Sequence, residues 1–137
     1  MRRAMALGAV GALIGLGAAA AVPAMGATTN LRFFTVETAA QETDNGFLVV
    51  EKVLQEGKKV GTDRVLCTFR QGKAHCKITV RLTGRGQLKL TTTLSEQSQG
   101  GKLRITGGTG EFAGASGDGS FKNITDSKSR VDLRVTT

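Results

Sequence analysis

The chain has 137 residues and carries 19 Lys and Arg against 11 Asp and Glu, a formal charge of +8, with six Phe and no Trp or Tyr. That length supports one domain rather than two. Single-strand nucleic-acid binders set aromatic platforms between their cations, so a basic chain this poor in aromatics is not read as binding nucleic acid.

Met1-Arg2-Arg3 makes a short positive start, and Ala4 to Val22 follow without a polar side chain. Pro23 breaks any helix, and Ala24, Gly26 and Ala27 supply the small residues of a peptidase site, so residues 1–27 read as a cleavable signal peptide. A retained membrane anchor is the competing reading, because the uncharged run approaches the roughly 20 residues of a span. Its Ala and Gly content makes it a weak membrane helix. The twin arginines lack the continuation of a twin-arginine signal, so general secretion is expected. Residues 28–137 remain as one exported domain that is still basic.

Past Thr28 there is no Pro and no Ser/Gly linker. Short alternating segments broken by turn residues give eight strands: Asn30–Glu37, Gly46–Leu54, Val60–Arg70, Lys73–Leu82, Gly86–Ser95, Lys102–Thr106, Gly117–Ile124 and Arg130–Thr136. Alternation is clearest in the fourth, where Ala74, Cys76, Ile78, Val80 and Leu82 share one face and His75, Lys77, Thr79 and Arg81 the other. Helical periodicity is absent beyond the N-terminal segment. Hairpin-length gaps favour an all-β, eight-stranded antiparallel up-and-down barrel over a sandwich.

A two-residue turn at Gln71-Gly72 pairs Arg70 with Lys73, and the same ladder sets Cys67 against Cys76. In an oxidising compartment that pair is expected to form a disulfide. Cys76 as a nucleophile is disfavoured, since neighbouring His75 points to the opposite face. A structural zinc wants four ligands, and two Cys and one His fall short, so no metal is expected.

Residues 108–113 match a dinucleotide-binding G-x-G-x-x-A pattern, but no long helix can follow glycines this dense, so no cofactor is expected. The glycines read instead as a tight connection with Phe112 turned back into the core. Ile105-Thr106-Gly107-Gly108-Thr109-Gly110-Glu111-Phe112, with Gly114-Ala115-Ser116-Gly117, resembles the strand and G-G-T-G-x-F turn of the allene oxide cyclase and dirigent proteins. The resemblance extends loosely upstream to Gly61, the Cys67–Cys76 hairpin and Gly86-Gln87-Leu88. It implies an eight-stranded barrel around an apolar cavity that steers a cyclisation or a radical coupling by shape. Two departures argue against carrying over either plant reaction: Ser116 stands where the dirigent motif has arginine, and the chain has no tyrosine.

Polar residues on inward faces are the candidate site. Glu51 alternates with Phe47, Val49 and Val53; Asp63 alternates with Val65, Cys67 and Phe69; Asn123 alternates with Phe121. An acid inside an apolar barrel would have a raised pKa and could act as general acid or base, so Glu51 and Asp63 are the catalytic candidates. Phe69, Phe121 and Asn123 are the ligand-binding candidates. Because Gly46–Leu54 is apolar on both faces, a reversed register would turn Glu51 outward. The expected function is binding of a small apolar molecule, with or without an isomerase-like step. The alternative is a non-catalytic barrel, packed solid, whose basic exterior attaches to anionic cell-envelope polymers or to other copies of itself as a homo-oligomer.

Overall fold

The computed structural model describes residues 27–137. The expected signal peptide lies outside the described residues except for Ala27. Eight strands follow in chain order: β1 (Thr28–Thr43), β2 (Gly46–Gln55), β3 (Lys58–Arg70), β4 (Lys73–Leu82), β5 (Gly86–Leu94), β6 (Gly100–Gly108), β7 (Ser116–Asn123) and β8 (Lys128–Thr136). Each pairs antiparallel with the next and β8 returns to β1, closing the barrel as a meander. Closure leaves no long sheet edge to template aggregation, which suits a small all-β chain.

Local sequence explains the pairing. Gln71 and Gly72 adopt φ of 53° and 76°, and Glu56 and Gly57 adopt 51° and 78°, the two positive values of a tight turn whose twist matches the strands it joins. The Gln71-Gly72 turn sets Arg70 against Lys73 and Cys67 against Cys76, the expected register. Those cysteines are bonded, with Cα atoms 4.0 Å apart.

Most strands run one or two residues further than the alternation suggests, and β1 and β6 run furthest beyond it. β1 continues past Glu37 to Thr43, because a bulge between Glu37 and Ala39 resets its register against β2. That arm pairs only with β2, since the ladder to β8 ends at Val36 opposite Lys128. Its residues are exposed on both faces, so no hydrophobic period marks it. β6 begins at Gly100 rather than Lys102, and its two leading glycines pair with Lys122 and Phe121 while giving no side-chain pattern to read.

The inward side chains form a packed layer toward one end of the barrel. Phe33, Val53, Val80 and Leu88 are each at most 1% exposed there. That end is stoppered by a single 3-10 turn, Gly110–Phe112, which buries Phe112 in the core as the glycine-rich segment implied. The turn is tied down by Glu111 N–H donating to Arg85 O at 2.8 Å, by the Arg85–Glu111 ion pair at 2.7 Å, and by the Arg85 guanidinium 5.3 Å from the Phe112 ring centroid. Gly86 adopts φ of 125°, and a Cβ there would stand 2.2 Å from Thr109 O, so only glycine lets β5 pass under the stopper.

Candidate functional site

Toward the opposite end the barrel is hollow. A cavity of about 760 Å³ opens beside the Gln71-Gly72 turn and the loops after β5 and β7. Its walls are chiefly apolar, with Val65, Ile78, Leu90 and Val131 among them. Such a size and lining suit a small organic molecule. The Cys67–Cys76 disulfide braces this half, with Phe47, Val65 and Leu94 packed against it.

At the boundary between the hollow half and the packed half stand two carboxyls. Register places Glu51 of β2 opposite Asp63 of β3, and both line the cavity. Asp63 is only 3% exposed, lies across from Val80 on its other side, and leaves Oδ1 without a partner. Burial, followed by the Glu51 charge and the hydrogen bond between the two carboxyls, pushes the Asp63 pKa up to about 9. Glu51 is also raised, first by burial and then by the charge of Glu37, although hydrogen bonds from Asp63 and Thr35 hold it back. Asp63, the more strongly raised of the two, holds its proton at neutral pH and can donate it toward Glu51, which Thr35 also steadies. Such a pair can donate a proton to a ligand oxygen or nitrogen, or accept one, at the floor of a chiefly apolar cavity.

The remaining sequence candidates ring the mouth. Phe69 is 56% exposed and tilts against Phe47, with ring centroids 5.6 Å apart. Phe121 is half-buried and Asn123 exposed, and both line the cavity with Phe69. Asn123 Oδ1 accepts a 2.9 Å hydrogen bond from Ser129 Oγ, which spends part of its polarity on the neighbouring strand. The reversed register of β2 does not occur, since Glu51 faces in. His75 sits on the outer face of β4, 3.4 Å from Thr93 Oγ1. Among the described residues no three His, Cys, Asp or Glu side chains gather where they could hold a metal ion.

Two residues that complete the site, Thr35 and Glu37, come from β1. Thr35 is buried and bonds Glu51, and Glu37 stands opposite Glu51 at the cavity wall. The signal for them is present in the chain: Leu31, Phe33, Thr35 and Glu37 follow one inward period of two.

No family model matches the chain, and no curated protein matches its sequence. Solved structures do match its fold. A pyocyanin demethylase superposes with a TM-score of 0.67 at 19% identity, over 79% of this chain and 100% of that one. A pterocarpan synthase dirigent protein matches with a TM-score of 0.64 at 16% identity, over 89% of this chain and 98% of that one. A second pterocarpan synthase dirigent protein gives 0.53 at 16% identity, over 80% and 94%.

Proposed function

We propose, taking the dirigent-type barrel fold as the premise, that this chain is a secreted protein that binds one small apolar molecule inside the barrel and steers a proton-dependent cyclisation or coupling of it. The observation that carries this reading is the buried Asp63 carboxyl paired with the half-buried Glu51 at the floor of a cavity whose walls are chiefly apolar. Burying the Asp63 carboxyl against a half-buried Glu51, with neither ion-paired, costs stability, and a barrel serving only as a scaffold would gain from aliphatic side chains there. Asp63, protonated at neutral pH, donates to an oxygen or nitrogen of the ligand. Glu51 takes up the exchanged proton, and the apolar walls hold the reacting ends in one geometry.

The names of the structural neighbours support the ligand class. The pterocarpan synthases and the pyocyanin demethylase are each named for chemistry on a small molecule, the synthases by their product and the demethylase by the compound it acts on. Their low identity carries neither substrate nor reaction to this chain. The disulfide supports the secreted placement, because such bonds persist in oxidising compartments.

Two measurements test the reading. Native mass spectrometry of the protein purified from its own host is expected to show an apolar compound that leaves on unfolding. In the emptied protein, the uncharged dye N-phenyl-1-naphthylamine is expected to bind one per chain, and Val65→Trp, which fills the cavity, is expected to abolish that binding. A host preparation that is always empty, together with a dye that ignores Val65→Trp, would overturn it. For the proton role, Glu51→Gln and Asp63→Asn are each expected to reduce conversion of the co-purifying compound at least tenfold, and unchanged turnover in both removes it.

A further inference from the structure

The charges on the outside of the barrel are segregated by strand. β3, β4, β5 and β6 contain a single carboxylate, Asp63, and it points inward. Their outward positions carry Arg64, Lys77, Arg81, Lys89, Lys102 and Arg104, all exposed. Ion pairs of the described residues lie elsewhere: Arg32 and Arg130 share Asp132 across β1 and β8, and Arg85 meets Glu111 at the stoppered end.

Register gives this face an ordered pattern. Arg64 and Lys89 stand on either side of Thr79, and Lys77 and Arg104 stand on either side of Thr91. Arg81 lies one inter-residue step beyond, opposite Thr62 and Gln87. Arg64, Lys77, Arg81 and Lys89 thus fill alternate squares of the ladder, about 8 Å apart on the diagonal, and Lys102 and Arg104 follow as successive outward residues of β6 about 7 Å apart, for strands about 4.8 Å apart and a rise of about 3.4 Å per residue. Asp118 of β7 stands opposite Arg104, but no carboxylate faces the other five across the ladder, and at a spacing of about one Debye length at physiological salt those charges repel one another. A polymer bearing anionic groups along its length relieves the repulsion at several points at once, and the intervening threonine hydroxyls match a hydroxyl-rich chain. Leu66 is the one large exposed hydrophobic on the face. With no aromatic side chain there is nothing to stack on nucleic-acid bases, and a lone leucine is too little to anchor in a bilayer.

We infer that the outer face of β3–β6 binds an acidic polysaccharide of the cell envelope, docking the barrel there without using the cavity. The test uses the full chain and polygalacturonate as the probe, with uncharged dextran, phosphatidylglycerol vesicles and duplex DNA in parallel arms. Polygalacturonate is expected to bind at 50 mM salt and to weaken steeply by 200 mM, while dextran does not bind. Lys77→Gln with Arg104→Gln is expected to weaken binding about tenfold and to flatten the log–log salt slope by about 1.4, at roughly 0.7 per lost contact. Lys122→Gln with Arg134→Gln removes the same charge from β7 and β8 and is expected to change affinity less than twofold. All four positions are exposed, so both pairs are expected to keep the parent melting temperature; the single change Lys89→Gln gives the same reading with a smaller perturbation. Equal losses in the two pairs, no binding of polygalacturonate, or tighter binding to the vesicles or the DNA would each overturn the inference.

Discussion

Asp63→Asn separates a protonated buried acid from an ionised one. An acid whose folded pKa is raised keeps its proton in the native state after the unfolded chain has lost it, so stability is fully present below the unfolded value and drains away as pH rises toward the folded value. For Asp63 that window runs from an unfolded value near 3.9 to a folded value of about 9. Between pH 4 and 7 about three units of it are crossed, an order of about 4 kcal/mol at 1.36 kcal/mol per unit. Asparagine mimics the protonated acid: its amide can donate to Glu51 as the carboxyl proton does, and it does not titrate. The variant is expected to match the parent protein at pH 4 and to exceed it progressively up to pH 9, by about 2–4 kcal/mol at pH 7, or roughly 10 °C or more in Tm for a domain of this size. Urea unfolding of both proteins at one-unit pH steps measures the difference directly, and the subtraction cancels the titrating groups away from the Glu51–Asp63 pair. Parallel curves for the two proteins would refute the buried, proton-holding assignment.

Replacing both cysteines by alanine is expected to cost about 2.7 kcal/mol, the chain-entropy value for a ten-residue loop, read as a fall in the urea midpoint. Intact mass should meanwhile show the parent protein gaining two hydrogens on reduction. Phe112→Ala removes the stopper's buried ring and is expected to destabilise the barrel by about 3–5 kcal/mol in thermal unfolding. Phe69→Ala alters a side chain mostly in solvent; stability should change by less than about 0.5 kcal/mol, while N-phenyl-1-naphthylamine binding at the mouth should weaken several-fold.

The meander and the Cys67–Cys76 rung could be read from the chain because they rest on short-range rules. A two-residue turn at Gln71-Gly72 fixes a ladder, and the alternation of β4 fixes which side is dry. Glu51 and Asp63 were legible as inward acids for the same reason. Their meeting was not, because which β2 residue faces which β3 residue depends on the bulge beside Val53, and nothing in residues 53–59 announces one. Thr35 and Glu37 share the inward period of Leu31 and Phe33, but what brings them to Glu51 is the register against β2, set by the bulge after Glu37, which no local pattern announces. The hollow was likewise out of reach of the chain alone. Whether Val49, Val65, Ile78 and Leu90 touch across the barrel depends on its girth, and strand count and stagger set that girth rather than any local pattern.

The arm of β1 carries one more implication. β8 leaves it at Val36, and only Glu37 N–H to Ser127 O, at 2.8 Å, tacks the following segment back to that side. Beyond this stitch, the β1–β2 arm has no ladder partner on its β8 side among the described residues. If the proposed guest leaves the barrel on that side, its head would rest against the carboxyls while a tail trails into water. The barrel would then discriminate by the thickness of the head and not by the overall length of the molecule.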